Sequence, residues 1–191
     1  MARILPKHKI SIFALFVFSL LIEGSSNKFS RSLSPKSYGL KKEKLSHLQF
    51  YLHDIVSGDH PTAVRVAGAA MTNTSSTLFG ATMVIDDALT VGPKPTSKIV
   101  GRAQGIYSFT DLNEFGLMMV FNYVFVEGKY NGSTLSILGK NPFLSKVREM
   151  PIVGGSGHFR FARGYVLART HSLNLSSGDA VVKHDVYVLH Y

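Results

Sequence analysis

The sequence predicts an all-β domain, and two observations support that prediction. From His47 onwards, runs of β-branched and aromatic residues alternate with Gly, Asn and Asp turn signals. No stretch in this part of the chain shows the apolar period of an amphipathic helix. Eight or nine strands on about 145 residues indicate a closed barrel or a sandwich, because closure removes exposed strand edges. The predicted strands lie near residues 47–57, 63–70, 78–87, 98–110, 115–127, 130–138, 147–153, 157–170 and 179–190.

Some of these strands are apolar on both faces. In the run over residues 115–126, alternate positions place Leu117, Met119 and Phe121 on one face. Met118 and Val120 lie on the other face. Two apolar faces indicate that the interior of the sheet is apolar and that its outside is covered as well. Another subunit can supply that cover, so we expect an oligomer.

The N-terminal part of the chain differs from the domain. Basic residues within the first nine positions precede an uncharged apolar run over residues 10–22, and small residues follow. This order predicts a cleavable signal peptide over residues 1–25, and hence export to the extracellular space. A membrane anchor needs about 20 apolar residues, and the run is shorter. We interpret residues 26–46 as a basic flexible tail and residues 47–191 as the domain.

The basic charge of the chain, formally +9, belongs mainly to this N-terminal part. Residues 27–46 carry 6 Lys and Arg against 1 Glu, whereas residues 47–191 carry 12 Lys and Arg against 10 Asp and Glu. The domain is therefore nearly neutral and lacks the basic stripe of a nucleic-acid-binding domain. The tail is either a solvated leader or a segment that binds acidic wall polysaccharide. If the tail binds wall polysaccharide, the protein has a binding or structural role in the cell wall.

The motifs of common catalytic sites are missing from the sequence. The chain has no cysteine, no His-x-His or His-Glu-x-x-His pair and no Gly-x-Ser-x-Gly elbow. We therefore predict no metal, no cofactor and no nucleophile triad. The triplets that begin at Asn73, Asn131 and Asn174 are glycosylation acceptors, which the secretory route would make usable.

Asp54 breaks the apolar pattern of the first strand. It shares a face with Leu48, Phe50 and Leu52, which places it on the interior face. A carboxyl that is removed from water has a raised pKa and is a useful proton donor near neutral pH. The alternative is that Asp54 lies at the strand end and caps the following turn.

Arg163 is a similar exception near the end of the chain. It alternates with Phe159, Phe161, Tyr165 and Leu167 on one face of the eighth segment. A fixed cation among aromatic rings can pair with a carboxylate, stack on a phenolic ring or hold a developing phenolate. The alternative is a structural ion pair inside the barrel.

Two further positions carry polar groups into the predicted barrel. One residue of the pair Asp86 and Asp87 faces inwards by alternation, and Asp86 is the candidate site residue; the alternative is a turn-forming pair. Tyr107 offers a phenolic hydroxyl, although buried tyrosines more often have a structural role.

Seven sequence blocks follow one another through the domain: Tyr51–Ile55, Asp86–Pro93, Gly101–Tyr107, Glu127–Leu135, Arg148–Gly157, Phe159–Tyr165 and Asp185–Tyr191. In order and spacing, these blocks resemble the plant dirigent proteins over nearly all of residues 47–191. The resemblance implies an eight-stranded antiparallel barrel of the type shared with allene oxide cyclases, usually a homotrimer, in the apoplast. A homodimer is the alternative assembly.

The resemblance also implies a role in phenolic metabolism. Typical members hold radicals of monolignols such as coniferyl alcohol, so that two radicals couple with one handedness in lignan biosynthesis. An external laccase or peroxidase makes the radicals, and neither nucleic acid nor membrane is a partner. The substrate pocket would then be lined by Phe50, Leu52, Phe121, Phe159, Phe161 and Tyr165.

Val-Gly-Pro after the Asp pair and the run over residues 159–165 are closer to the branch that includes pterocarpan synthases. These relatives dehydrate isoflavanols through a quinone methide, for which Asp54 would assist departure of water and Arg163 or Tyr107 would stabilise the phenolate. His158 departs from the pattern, because lignan-forming members usually have Asp there. His158 is therefore either a proton shuttle or a solvent-facing substitution.

Overall fold

The computed structural model describes residues 30–191. The predicted signal peptide at 1–25 and residues 26–29 of the predicted tail lie outside the described residues. The chain divides into two units at residue 40. The described part of the first unit contains a turn, in which the Tyr38 N–H donates to the Ser34 carbonyl over 3.1 Å.

The second unit, Lys41–Tyr191, is a β domain. Its strands are β1 (Lys44–Asp54), β2 (Ala63–Ala67), β3 (Thr82–Thr90), β4 (Ile99–Phe109), β5 (Leu117–Phe125), β6 (Thr134–Asn141), β7 (Arg148–Ser156), β8 (Arg163–Leu173) and β9 (Ala180–His190). Three single-turn 3₁₀ segments lie between strands, at Thr72–Thr74, Gly128–Tyr130 and Gly157–Phe159. Among the described residues, no helix is long and apolar enough to cross a membrane.

The sheet closes on itself. The strands follow the order β1-β9-β8-β7-β6-β5-β4-β3-β2, and β3 also pairs with β1 through Tyr51–Thr90, Leu52–Leu89 and His53–Ala88. Eight antiparallel strands therefore form a closed barrel, and β2 is an extra strand beside the first half of β3. This confirms the predicted all-β class and the eight-stranded antiparallel barrel.

Several strands begin elsewhere than predicted, among them β3 at Thr82 rather than residue 78 and β6 at Thr134 rather than residue 130. β1 begins at Lys44, ahead of the predicted domain start at His47. β8 begins only at Arg163, because Gly157–Phe159 form a 3₁₀ turn and Phe161 has a φ of +63°. This turn resets the alternation of inward and outward side chains that the sequence pattern carried through residues 157–170.

One end of the barrel is plugged by aromatic side chains. Phe159 is fully buried, and its ring lies 4.6 Å from that of Tyr130, 5.1 Å from that of His190 and 5.6 Å from that of Phe125. Gly155 makes this plug possible: a Cβ at this position would lie 2.5 Å from the Thr134 carbonyl oxygen and 2.8 Å from the Phe159 Cβ. The functional cavity lies towards the other end.

The outside of the barrel carries a row of exposed apolar side chains across four neighbouring strands. The register pairs Val84 with Ile106, Ile106 with Val120, and Val120 with Leu138. All four side chains are exposed. β5 is thus apolar on both faces, as the sequence pattern indicates, since Met118 and Val120 are exposed on its outer face.

Candidate active site

A cavity of about 500 Å³ opens at the end of the barrel where β1 ends and β7 begins. This volume falls in the range of small-molecule sites, which is roughly 300–1,000 Å³. Its lining is mainly apolar and includes Leu52, Met83, Phe109, Met119 and Met150. Ionisable side chains interrupt this lining at a few points, namely Asp54, Arg65, Tyr107, Arg148 and His184.

Asp54, the last residue of β1, is the one carboxyl among the described residues that line the cavity. Its Oδ1 atom is buried without a hydrogen-bond partner. The hydroxyl of Tyr107 on β4 donates to the carboxyl. Burial raises the pKa of Asp54 to about 6, although the hydrogen bond from Tyr107 opposes the rise. Asp54 can therefore hold a proton in mildly acidic solution and release it inside the cavity.

A second carboxyl lies behind Asp54. Asp87 on β3 is 1% exposed and accepts a hydrogen bond from the Thr62 hydroxyl over 2.6 Å. Burial and the nearby Asp54 carboxyl raise the pKa of Asp87 to about 8. The two carboxyls favour each other's neutral form, because two negative charges in one apolar environment repel. Asp54, Tyr107 and Asp87 together are called the acid wall below.

Arg148, the first residue of β7, lies on the other side of the cavity. It is 2% exposed, and its guanidinium donates to Asn141 over 3.1 Å and to Thr170 over 2.9 Å. Burial lowers the pKa of Arg148. Within the described chain, no carboxylate pairs with this cation. A buried cation without a counter-ion attracts an anionic group on a ligand.

His184 on β9 completes this side of the cavity. Its Nδ1 lies 2.7 Å from the hydroxyl of Tyr123, which is fully buried. Burial and the positive charge of Arg148 lower the pKa of His184 to about 3, so its ring is neutral near pH 5–7. Arg148, Asn141, Thr170 and His184 are called the cation wall below.

The strand order places Arg148 across the barrel from the acid wall, whereas His184 lies on β9, which neighbours β1. β7 lies four strands from β3 in either direction around the barrel. A ligand in the cavity therefore meets a protonated carboxyl on one side and a guanidinium on the other. This arrangement can donate a proton to one part of an aromatic molecule while it stabilises negative charge on another part.

Across residues 30–191, no three His, Asp or Glu side chains are arranged to hold a metal ion.

The predicted interior placement of Arg163, Phe161 and Tyr165 is wrong. Arg163 is exposed and forms a bidentate ion pair with Glu43, and its Nη2 lies 2.9 Å from the Glu43 Oε2. Phe161 is 55% exposed and Tyr165 is 39% exposed. The turn at residues 157–162 changes the phase, so that Val166 and not Tyr165 points into the barrel.

The predicted site residue Asp86 also lies outside the barrel. Its carboxyl pairs with Arg102 and accepts a hydrogen bond from Gln104 over 3.0 Å. Alternation along β3 directs Ile85 and Asp87 inwards and Asp86 outwards. The inward carboxyl of the pair is Asp87.

The remaining predicted residues are divided between the cavity, the core and the surface. Leu52 lines the cavity, whereas Phe50 and Phe121 are buried against Tyr123 deeper in the barrel. Phe159 belongs to the plug at the other end. His158 is exposed beside that plug, away from the cavity lining, and its carbonyl accepts a hydrogen bond from the His190 ring.

The three predicted glycosylation acceptors lie on loops or turns. Asn73 and Asn131 are exposed at or beside 3₁₀ turns, and the Asn73 side-chain oxygen accepts a hydrogen bond from Arg65. Asn174 lies in the β8–β9 loop, and its neighbour Leu175 is part of the cavity lining. All three asparagines are accessible to solvent.

Sequence reasoning missed the cation wall. Arg148 carried a weak signal, because it alternates with the apolar residues Met150 and Ile152 on β7. His184 carried a weak signal, because it alternates with the apolar residues Val182 and Val186 on β9. For the pair Asp86 and Asp87, the sequence did indicate which carboxyl faces inwards, because Asp87 alternates with the apolar residues Ile85 and Leu89.

Comparison with known proteins agrees with the barrel fold. A family model described as dirigent-like protein matches residues 45–189. The chain is 54% identical to dirigent protein 21 of Arabidopsis thaliana over 177 residues, which cover 93% of each chain. It is 48% identical to pterocarpan synthase 1 of Glycyrrhiza echinata over 173 residues, which cover 90% of this chain and 92% of that protein.

The fold matches a solved structure as well. The pterocarpan synthase dirigent protein GePTS1 superposes with a TM-score of 0.78 at 49% sequence identity, over 85% of this chain and 99% of that chain. The family model spans the whole barrel, from the second residue of β1 to the next-to-last residue of β9. The chain therefore belongs to the dirigent family.

Proposed function

We propose that this dirigent protein binds phenoxy radicals of monolignols, such as that of coniferyl alcohol, and directs their coupling in lignan biosynthesis. The observation that supports the proposal is the apolar cavity of about 500 Å³ with polar groups on two opposite walls. Apolar and aromatic side chains bind the ring of the substrate. The polar groups bind its oxygens and so decide which face of the ring is presented.

The coupling step itself needs orientation and no proton transfer. Two radicals each contribute one electron to a new C–C bond, and an external laccase or peroxidase supplies the radicals by oxidation of the phenols. The barrel lowers the free energy of one coupling geometry relative to its mirror image. A difference of about 1.4 kcal/mol between the two transition states gives tenfold selectivity.

The test is chiral chromatography of the products from coniferyl alcohol with added laccase, with and without the protein. We expect an enantiomeric excess with the protein and laccase, a racemic product with laccase alone, and no product with the protein alone. Racemic product from every monolignol tested would contradict the proposal.

A second function is favoured by one specific observation. Asp54 is the only carboxyl among the described lining residues, its pKa is raised to about 6, and Arg148 faces it without a counter-ion. These groups fit dehydration of an isoflavanol to a pterocarpan. Asp54 protonates the departing hydroxyl, which leaves as water, while a ring phenol loses its proton and becomes the quinone methide carbonyl, stabilised by Arg148.

The second step of that reaction closes the ring. Another phenol of the same substrate adds to the quinone methide carbon, its proton is released, and the first ring regains its phenol. The net reaction is isoflavanol to pterocarpan plus water, with no oxidant. We expect that an isoflavanol assay without oxidant shows turnover if this is the function, and that Asp54→Asn abolishes it. Undiminished turnover in Asp54→Asn would exclude Asp54 as the acid.

We also propose that the mature protein is secreted to the apoplast and is glycosylated. The support is the order of basic residues and apolar run in the first 25 positions and the exposure of Asn73, Asn131 and Asn174. Expression in plant cells, with recovery from the apoplastic wash and glycopeptide mapping, tests both parts. Retention of the unprocessed chain inside the cell would contradict them.

For the assembly, we propose a homo-oligomer that is built through the apolar row Val84, Ile106, Val120 and Leu138. These side chains are exposed on four adjacent strands, and an exposed apolar row of this kind is typical of an interface between subunits. A second copy presents a surface of the same nearly neutral character. Light scattering should show an oligomer for the wild type and a monomer for Val120→Lys; an unchanged mass in Val120→Lys would contradict this interface.

A further inference from the structure

The cavity contains a histidine that the reactions above do not use. His184 is 4% exposed and belongs to the cavity lining. Its Nδ1 is bound to the Tyr123 hydroxyl. Its Nε2 has no hydrogen-bond partner in the described part of the chain. Unlike the unpaired Nδ1 of His53, this atom is not enclosed by protein. Nε2 is therefore open to the cavity.

Tyr123 decides which ring nitrogen carries the proton. The Tyr123 hydroxyl is fully buried, and His184 Nδ1 is its one partner among the described residues. A buried hydroxyl proton needs an acceptor, and the unprotonated Nδ1 is the acceptor within reach. The proton of the neutral imidazole then resides on Nε2. The charged groups that act on this ring are Arg148 and Asp185, and burial in this environment keeps the ring neutral.

The sheet register places His184 beside the buried cation. Arg148 on β7 pairs with Ala168 on β8, and Ala168 pairs with His184 on β9. Ala168 is fully buried and has only a methyl group, so the two long side chains stand on either side of a gap. Arg148 Nη2 also has no hydrogen-bond partner among the described residues, so a second donor is available on the other side of Ala168.

We propose that His184 is a specificity-determining residue whose Nε2–H, fixed by Tyr123, donates a hydrogen bond to the phenolic oxygen of the substrate. The proposal rests on the proposed function, since it assumes a phenolic ligand in this cavity. The proposal predicts that the cavity prefers ligands whose aromatic ring carries an oxygen at the end that faces Ala168. A ring without this oxygen would leave the Nε2–H of His184 without an acceptor.

The first test measures the tautomer in the unmodified protein. Two-bond ¹H–¹⁵N correlation spectra of the ¹⁵N-labelled chain should show His184 with a protonated Nε2 and an unprotonated Nδ1. In Tyr123→Phe this fixed tautomer should be lost. A wild-type spectrum with the proton on Nδ1 would overturn the proposal, whatever the variants do.

The second test compares two probes that differ by one oxygen, 4-hydroxycinnamyl alcohol and cinnamyl alcohol, by calorimetric titration. We expect the wild type to bind the hydroxylated probe about five-fold more tightly, the size of one net neutral hydrogen bond. His184→Phe should lose this preference but bind cinnamyl alcohol as before. His184→Gln, which retains an N–H donor, should recover part of the preference.

The matched control is His53→Phe. His53 is a buried histidine on β1 that lies outside the cavity lining and contacts Thr90. His53→Phe should leave the preference for the hydroxylated probe unchanged. Equal weakening of both probes in His184→Phe would show a structural role and overturn the proposal. If the wild type binds neither probe, the proposed function fails together with this subsite; if it binds both equally, only the subsite fails.

Discussion

The acid wall and the cation wall of the cavity show how differently two halves of one site are built. Asp54 and Asp87 lie within strands whose alternation already directs them inwards, and they face apolar surroundings with few partners. Arg148 and His184 depend on partners from other strands, namely Asn141, Thr170 and Tyr123. The carboxyls of the acid wall thus have few hydrogen-bond partners, whereas the side chains of the cation wall are held by hydrogen bonds between strands. Variants on each wall can test this contrast.

The largest effect should come from Asp54→Asn, which removes the only carboxyl among the described lining residues without changing its shape. If the protein is a dehydratase, we expect kcat/KM to fall by about 10²- to 10⁴-fold, the usual contribution of a general acid. Stability at pH 7 should be unchanged or higher, because the variant no longer buries a carboxylate. Steady-state kinetics and thermal unfolding measure both. A marked loss of stability would instead show that Asp54 has a structural role.

The next effect concerns the opposite wall. Arg148→Met should lower turnover by about 10²- to 10³-fold, the range found when a donor to a developing oxyanion is removed. In the coupling reaction, the same variant should reduce the enantiomeric excess. Asn141 and Thr170 lose a partner, so circular dichroism must accompany the assay. Full activity in a folded Arg148→Met protein would remove the cation wall from the mechanism.

The acid wall also predicts how stability depends on pH. The pKa of Asp87 is raised from an ordinary value near 3.8 to about 8, and that of Asp54 to about 6. Between the ordinary pKa and the raised pKa of each carboxyl, the folded state retains a proton that the unfolded state has lost. The free energy of unfolding therefore falls as pH rises, from about 4 to 6 through both groups and from about 6 to 8 through Asp87. The slope is about 1.4 kcal/mol per pH unit for each retained proton. Asp87→Asn should flatten this decline in chemical unfolding curves.

Asp86→Asn is the matched control, since its carboxyl points outwards from the same strand. The Arg102 ion pair and the Gln104 hydrogen bond hold the pKa of Asp86 below its ordinary value despite opposing desolvation. Its contribution to stability is therefore present above pH 4 and lost on acidification, the opposite sign to Asp87. If both variants changed the pH profile in the same direction, the assignment of Asp87 as the inward carboxyl would be contradicted.

The smallest effect is expected at Arg163. The sequence pattern assigned it to the interior, but its partner is Glu43 on the barrel surface. Arg163→Met should leave the free energy of unfolding nearly unchanged, because exposed ion pairs contribute little to stability. Activity should stay within twofold of the wild type. A large loss of activity in Arg148→Met beside a small loss in Arg163→Met would show that the functional arginine is Arg148 and not Arg163, which the alternation pattern favoured.

Alternation succeeded where a strand was uninterrupted. The phase of Leu52 and Asp54 in β1 was readable, because each residue of an extended strand faces opposite to its neighbour. It failed at β8, where a 3₁₀ turn and the positive φ of Phe161 lie inside what the pattern showed as one strand. Gly155 and Gly157 near this turn were a local signal that the strand was broken.

By itself, the sequence determined the all-β class, the positions of most strands, the apolar interior and the inward phase of Asp54. These properties follow from β propensity and from the two-residue period of a strand, which are local. Only the tertiary structure decided that Asp87 lies behind Asp54, that Arg163 is outside, and that Arg148 and His184 lie on either side of Ala168 in the sheet register. The reason is that such placements depend on strand register and on barrel closure, which join residues that are far apart in the chain.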